Sequence, residues 1–355
     1  VLTAETTAFA PISDFSWQVT LAPDQLMRLA AYDIVESIDT GPAPDMPDND
    51  RTRGVINVNP VQAAVVNATA NTITYNGLSG NGITAGIQEG HGIDASHPDL
   101  NVIADLDAPR SSGSHATHVA GILAGSGEQS SLNDAAGNPN GGNAFEWRGM
   151  VPEAELIAGS DLDSTTDLLD AIQNHSLDLL NRSQSLTYDG DYDNENMNVD
   201  AHVHGSSVSG NTTIPRRLHV YSAGNHGRSP QNQIPPDPSA GTAIGTAQIF
   251  NYGQTGYFSL TKQTKNTVVV GNWDATTDTL RPTSSMGPAH DGRIKPDLVA
   301  PGTDVTSTGT VGDGSCVPDG TDASDGYTLC GGTSMSTPAV AGGVALMLEA
   351  WQDTY

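Results

Sequence analysis

The stretch that decides the fold is GGTSMSTP at Gly331–Pro338, which runs directly into the apolar segment AVAGGVALML at Ala339–Leu348. A proline is tolerated in the first turn of a helix, where its missing N–H has no partner to lose. Because the segment is apolar on all sides, it predicts a buried helix. Ser334 is therefore predicted at the N-terminus of a central helix, where backbone N–H groups and the helix dipole favour negative charge. An acyl-transfer enzyme needs a serine nucleophile in such a place, although a Gly-Ser turn that only caps a core helix has the same pattern.

The composition limits the classes of partner. The chain has 355 residues, of which 36% are hydrophobic, and this is enough for one large domain or two smaller ones. It contains 14 lysine and arginine residues and 41 aspartate and glutamate residues, which gives a formal net charge of −27. Such a field repels phosphates, so we expect no nucleic-acid partner and no anionic membrane partner. No apolar run reaches the length of a membrane span, and we expect any secretion signal to be absent or already removed.

The chain has two cysteines, Cys316 and Cys330. They are either two unpaired thiols or a disulfide that closes a short loop immediately before the serine stretch. An acidic chain this poor in cysteine is typical of an exported protein, which favours the disulfide. The sequence therefore predicts a secreted or extracytoplasmic protein.

The first fifty residues form a predicted module of their own. A strand is predicted at 17–21, a short helix at 23–31 and a second strand at 34–38, which together make a small β-α-β unit. The segment Gly41–Asp50 holds three prolines and three aspartates, a composition typical of a linker. We therefore predict an N-terminal extension plus linker over 1–50 and a main domain over 51–355.

In the main domain, predicted strands and helices alternate, which favours an α/β fold with a mainly parallel sheet and helices on both faces. Functional groups gather at the carboxyl ends of such strands. Glu89 and Asn225 follow two predicted strands, at 83–87 and 218–222, and His115 enters a predicted buried helix at 114–125. Each residue also has an ordinary structural interpretation, as a solvated loop acid, a turn asparagine and a hydrogen-bonded core histidine.

Two groups of residues suggest metal ligands. His115 and His118 share one helix face, but no third ligand lies at a recognisable spacing, so no catalytic metal is predicted. Asp189, Asp191 and Asp193 place carboxylates at every second position, which partly mimics a calcium loop. The loop's usual glycine and glutamate are absent, so a solvated acidic loop is the alternative to a structural calcium site.

Three motifs occur in the order SHATHVAG at 114–121, SAGN at 222–225 and GTSMSTP at 332–338. The chain resembles subtilisin-like serine proteases (subtilases), and the resemblance covers about 54–352. It implies that His115 is the general base, Ser334 the nucleophile and Asn225 the oxyanion donor, with no cofactor in the chemistry and with protein or peptide substrates. It also implies substrate contacts at Ser183, Gln184, Ser185 and Gly224, the first three as a strand that pairs with the peptide.

The acid motif departs from the family pattern. The segment that follows the family's catalytic aspartate resembles IDASHPDL at 93–100, and counting back from it places the expected acid on Gly90. Glu89 directly precedes that position. We expect Glu89 to replace the aspartate and to accept a hydrogen bond from His115 Nδ1. Asp94 is the rival carboxylate.

Residues 15–39 resemble the later half of a subtilase propeptide. The resemblance implies a segment that packs on the main domain, with processing between about Asp50 and Gly54.

Two other functions stay open. A sedolisin-like acid peptidase shares the fold and a catalytic glutamate, but His115 and Asn225 argue against it. A catalytically impaired binding protein on the subtilase scaffold is the non-enzymatic alternative, motivated by the altered acid motif.

Overall fold

The computed structural model describes residues 8–13, 16–20, 49–133, 137, 139–184, 192–208, 210–227, 260–289, 291–310, 316–318 and 326–355. The chain divides into two compact units, Val1–Met46 and Pro47–Tyr355. In the first unit, β1 (Ala8–Ser13) pairs antiparallel with β2 (Ser16–Thr20). β2 agrees with the predicted first strand over 17–20, and residue 21 lies outside the described residues. β1 lacks a periodic signal and was not predicted. The predicted helix at 23–31 and strand at 34–38 lie outside the described residues.

The second unit begins with two short helices, α1 (Asn49–Val55) and α2 (Val58–Gln62), and a hairpin of β3 (Ala64–Asn67) and β4 (Thr72–Tyr75). The expected linker extended to Asp50, but α1 already starts at Asn49, whose Nδ2 donates to the Trp147 carbonyl at 3.1 Å. The segment predicted for processing lies within α1. Arg53 of this helix is fully buried and donates to the Glu146 carbonyl at 2.9 Å.

The second unit is built on an eight-stranded sheet. Its strands are β5 (Thr84–Gln88), β6 (Val102–Asp105), β7 (Glu155–Gly159), β8 (Leu179–Arg182), β9 (Leu218–Ser222), β10 (Val268–Asp274), β11 (Thr279–Leu280) and β12 (Leu298–Pro301). The strand order is β11-β10-β9-β8-β5-β7-β6, and β12 pairs with β10 beside this path. All pairs are parallel except β10 with β11. The predicted mainly parallel sheet is confirmed.

Among the described residues, four longer helices cover the two faces of the sheet: α3 (Ser114–Ala124), α4 (Thr165–His175), α5 (Asn194–His204) and α6 (Thr333–Thr354). On one face, strand residues such as Ile87 join one core cluster with the buried residues of α3 and α6. On the other face, Leu180 packs with Leu168 of α4, and Tyr221 packs with Val199 of α5. Because successive strand residues point to opposite faces, each strand contributes to both layers. Helices on both faces are therefore confirmed.

A small three-stranded sheet precedes α6. It consists of β13 (Val305–Thr308), β14 (Val317–Pro318) and β15 (Tyr327–Cys330), in the order β13-β15-β14. The structure joins Cys316 and Cys330 in a disulfide, so the covalent link ends three residues before the first residue of α6. Across the described part of the chain, no helix is both long and apolar enough to span a bilayer.

Candidate active site

The candidate site lies at the carboxyl ends of β5 and β8, the two strands at the centre of the sheet. After β5, the chain forms β6 and β7, which lie on one side of β5 in the strand order. It then returns to form β8, which pairs with β5 on its other side. Ligand sites in open α/β sheets form at such a switch in strand order. Glu89 directly follows β5 and Ser183 directly follows β8, so both lie at this crevice.

A carboxylate–imidazole pair forms the first part of the site. Glu89 Oε2 lies 3.1 Å from His115 Nδ1, and the two side chains are 6% and 26% exposed. The backbone of Glu89 is fixed as well, because its N–H donates to the Gly159 carbonyl at 3.1 Å and its carbonyl accepts from Arg110 Nη1 at 2.8 Å. A hydrogen bond to Glu89 places the proton of the neutral imidazole on Nδ1, which makes Nε2 the unprotonated ring nitrogen.

The rival acid and the second histidine have other contacts. The Asp94 carboxylate accepts from the backbone N–H of Ser96 at 3.0 Å, in a local turn. His118 is fully buried, and its Nε2 contacts the carbonyls of Val305 and Thr328 at 2.8 and 3.0 Å. Its burial lowers the pKa of His118 to about 3. These contacts give His118 a structural role between α3 and the small sheet.

Ser334 is the second residue of α6, so the predicted position of the hydroxyl at a helix N-terminus is confirmed. Pro338, which we placed in the first turn, lies instead in the helix interior. A proline there cannot donate to the carbonyl four residues earlier, which belongs to Ser334. Ser183 Oγ donates to that carbonyl at 3.0 Å instead, and Ser334 Oγ donates to the Ser183 carbonyl at 2.9 Å. This reciprocal pair fixes the serine against the end of β8.

Asn225 lies beside the start of α6. Its Oδ1 accepts from the backbone N–H of Thr333 at 2.9 Å and from Thr333 Oγ1 at 3.1 Å, and the residue is exposed. Because the oxygen is held by Thr333, the amide N–H₂ is directed away from Thr333. Gly332 has a φ of 152°, and a Cβ built there would lie 3.0 Å from Asn225 Nδ2. The close approach of Asn225 to the helix start therefore requires glycine at 332.

The arrangement can perform acyl transfer. It combines a carboxylate-oriented imidazole with a serine hydroxyl at a helix N-terminus and a side-chain amide beside it. The Ser334 backbone N–H lies in the first turn of α6, where no intrahelical carbonyl can accept it. A model of the Subtilase family matches residues 34–354. The chain belongs to the subtilase family.

Curated relatives of this chain include serine proteases. This subtilase is 25% identical to the serine protease AprX of Bacillus subtilis (strain 168) over 309 residues, 79% of this chain and 60% of AprX. It is 39% identical over 75 residues to the serine protease/ABC transporter B family protein tagB of Dictyostelium discoideum, 20% of this chain and 4% of that protein. The chain thus spans 60% of AprX and a small part of tagB.

Similar solved structures include a cold-adapted subtilisin-like serine proteinase, with 20% identity, a TM-score of 0.44 and coverage of 78% of this chain and 79% of that one. Another is the S41 psychrophilic protease, with 21% identity, a TM-score of 0.46 and coverage of 82% of each chain.

The predicted substrate-contact residues of this subtilase lie around the same strand ends. Ser183 and Gln184 follow β8, and Ser185 lies outside the described residues. Gly224, at a φ of 108°, donates its N–H to Thr333 Oγ1 at 3.2 Å and accepts from the Ser285 N–H at 2.9 Å. Their contact with a peptide stays a prediction.

The predicted calcium segment is described only in part, since Asp189 and Asp191 lie outside the described residues. Asp193 is the N-cap of α5, and its carboxylate accepts from the Asn196 N–H at 2.9 Å. Asp200, at the loop's last ligand position, accepts from the backbone N–H groups of Lys265 and Asn266 at 2.8 and 2.7 Å. Within the described ranges, no group of three or more histidine, cysteine, aspartate or glutamate side chains could hold a metal ion. A structural calcium ion stays a prediction.

Sequence reasoning missed the buried polar residues behind the site. Lys262 is fully buried, and its Nζ donates to Ser222 Oγ at 2.7 Å, at the end of β9. Burial lowers the pKa of Lys262 well below its usual value. Asp163 and Arg182 form a buried ion pair nearby. Among these three residues, only Arg182 carried a signal in the sequence, as a charged residue at the end of the predominantly apolar strand β8.

Proposed function

We propose that this subtilase is a secreted serine endopeptidase that hydrolyses peptide bonds through an acyl-enzyme. Ser334 is the nucleophile, His115 the general base, Glu89 the acid that orients His115, and Asn225 the oxyanion donor. The observation that carries the proposal is the 3.1 Å contact between Glu89 Oε2 and His115 Nδ1 at the carboxyl end of the central strand. It supplies the third member of a serine–histidine–carboxylate constellation, whose other members stand in the family motifs.

In the proposed reaction, His115 Nε2 takes the hydroxyl proton of Ser334 while Ser334 Oγ attacks the peptide carbonyl. For this step the Ser334 hydroxyl rotates away from the Ser183 carbonyl, its acceptor in the structure. The oxyanion accepts hydrogen bonds from the Asn225 amide and the Ser334 backbone N–H. His115 then gives its proton to the leaving amine. A water molecule, deprotonated by His115, releases the acyl group and restores Ser334.

Glu89 stabilises the imidazolium that forms on His115 during this cycle. A glutamate has one more methylene than an aspartate, so the same carboxylate position requires its Cα to lie further from the ring. The anchoring of the Glu89 backbone by Gly159 and Arg110 supports this role, because it fixes where the longer side chain starts. The oriented His115 and the amide of Asn225 disfavour the sedolisin-like alternative.

Two further parts of the proposal concern the setting of the enzyme. The Cys316–Cys330 disulfide supports secretion, since disulfides persist in oxidising compartments. The net charge of −27 favours protein or peptide substrates over nucleic acid. We further propose that the N-terminal extension is a propeptide remnant. The burial of Asn49 and Arg53 in α1 favours a processing site before Asn49 rather than between Asp50 and Gly54.

Labelling with a fluorophosphonate tests the proposal. We expect covalent labelling of Ser334 in the purified protein, hydrolysis of a denatured protein substrate, and loss of both in Ser334→Ala. Ser336→Ala is the matched control, because Ser336 is a buried hydroxyl in the first turns of the same helix. A folded protein that neither reacts with the probe nor cleaves any substrate would favour the impaired binding protein over the peptidase.

A further inference from the structure

A single buried carboxylate connects the ends of the three strands that carry the site. Asp163, in the segment between β7 and α4, is 5% exposed. Its Oδ1 accepts from Gln88 Nε2 at 2.7 Å, and its Oδ2 accepts from Tyr221 Oη at 2.6 Å and from Arg182 Nη1. Its backbone N–H also donates to Gln88 Oε1 at 3.0 Å. Gln88, Arg182 and Tyr221 belong to β5, β8 and β9, which are adjacent in the sheet.

Each of these three residues directly precedes a residue of the active-site face. Gln88 precedes Glu89, and Arg182 precedes Ser183. Tyr221 precedes Ser222, which lies three positions before Asn225. Because side chains alternate between faces along a strand, the residues that bind Asp163 point away from α3 and α6. The core clusters agree with this, since Tyr221 packs with α5 on the opposite face. Asp163 therefore binds the back of the same strand ends whose front carries the site.

Neighbouring polar and charged side chains stabilise the negative charge of Asp163. Burial alone would raise the pKa of Asp163, but Arg182, Tyr221 and Gln88 together hold it below the ordinary value. Arg182 is itself paired a second time, because its Nη2 lies 2.9 Å from Glu195 Oε1. Hydrogen bonds to an ionised group in a low-dielectric interior are short and directional. The hydrogen bonds of Asp163 therefore restrict movement of β5, β8 and β9 relative to one another.

We propose that Asp163 is a positioning residue for the hydrolytic reaction, which it serves by fixing the relative placement of Glu89, Ser183 and the β9 end that leads to Asn225. The inference rests on the proposed function. Its physical basis is that a displacement of about 1 Å among catalytic groups costs on the order of 10²-fold in rate. Asp163 touches no reacting atom, so its effect passes through the strand ends.

The test uses two mild variants, because Asp163→Asn would leave the buried Arg182 without its main counter-charge and is expected to unfold the protein. Gln88→Met keeps the side-chain length and removes the bonds to Asp163. Tyr221→Phe removes one hydroxyl from Asp163. The matched control is Tyr327→Phe, since Tyr327 is equally buried and its hydroxyl donates to Asp99, another buried carboxylate.

Three quantities are measured well below the melting temperature of each variant: kcat, KM, and the proton resonance of His115 Nδ1–H. We expect kcat to fall about tenfold or more in Gln88→Met and Tyr221→Phe, with KM within about twofold of the wild type, and the resonance to move. Tyr327→Phe is expected to lower Tm but to leave kcat and the resonance unchanged.

Wild-type kcat and an unmoved resonance in both test variants would overturn the positioning role, and so would an equal loss of kcat in Tyr327→Phe. An inactive wild-type protein would instead count against the proposed function. In that case the His115 resonance still decides whether Asp163 positions Glu89 against His115.

Discussion

Acid should destabilise this subtilase through two buried histidines. His118 and His219 are fully buried. Burial lowers the pKa of His118 to about 3 and that of His219 to about 4. Neither ring nitrogen of His219 has a hydrogen-bond partner among the described residues. Both rings are therefore neutral in the folded protein at pH values where the unfolded chain, with a histidine pKa of about 6.5, is already protonated.

The sign of the effect follows from proton uptake. Above about pH 6.5 neither state binds these protons, and the free energy of unfolding does not depend on them. As the pH falls from there toward 4, the unfolded chain gains protons that the folded protein excludes, so the folded protein loses stability. At pH 5 each histidine costs about 2 kcal/mol, or about 4 kcal/mol together, out of a typical total of about 5–15 kcal/mol. The lowered pKa of Asp163 acts only below about pH 4, outside this window.

Urea unfolding at pH 7.5 and pH 5.0 measures this loss, in a Ser334→Ala background that prevents self-digestion. His219→Leu is expected to be neutral or stabilising at pH 7.5, because it removes two buried polar atoms without partners in the described structure. Its loss on going to pH 5.0 should be about 2 kcal/mol smaller than that of the parent. His204→Leu, at an exposed position of α5, is the control and should keep the parental pH dependence. An equal loss in the parent and in His219→Leu would refute the reasoning.

Three further perturbations test separate parts of the structure. Asn225→Ala should lower kcat by on the order of 10²–10³-fold with little change in KM, and an unchanged kcat in steady-state assays would remove Asn225 from the oxyanion site. Ser183→Ala leaves the Ser334 carbonyl without its donor and should lower the free energy of unfolding, measured in urea, by about 1–3 kcal/mol, and an unchanged value would contradict this. Reduction of the disulfide, or a double Cys316→Ser and Cys330→Ser variant, should cost about 3 kcal/mol by the loop-entropy argument, and equal Tm values with and without reductant would contradict this.

The sequence predicted the fold class because the central elements carry strong local signals. β5 and α3 are mainly small and apolar residues, a pattern typical of buried elements, and nearly all of their residues are buried. The apolar segment of α6 predicted a helix buried on all sides, but α6 is continuously buried only over Thr333–Ala339, and Met347 is 73% exposed. Other elements of the second unit lacked such a signal, among them β6, β12 and α5. β6 and β12 are four-residue strands with half-exposed or exposed residues. The sequence of α5, NENMNVDAHVH, is so polar that its start was interpreted as part of an acidic loop.

The candidate site was predictable only where a motif carries it. His115, Asn225 and Ser334 stand in motifs, and Glu89 was inferred from the position of an absent aspartate. The bond from Ser183 Oγ to the Ser334 carbonyl is related to the interior position of Pro338 in α6, which depends on where the helix begins. Contacts between residues far apart in sequence, such as those of Asp163 with β8 and β9, depend on strand order and have no local signature.

The central claim is that a glutamate orients the catalytic histidine. The most direct test is kcat for hydrolysis of one peptide substrate by Glu89→Gln and by Asp94→Asn. Glu89→Gln keeps the side-chain shape but removes the charge that stabilises the imidazolium, so kcat should fall by on the order of 10⁴-fold. Asp94→Asn should keep wild-type kcat, because the Asp94 carboxylate accepts from Ser96 in a local turn. Full activity of Glu89→Gln, or its loss in Asp94→Asn alone, would contradict the account.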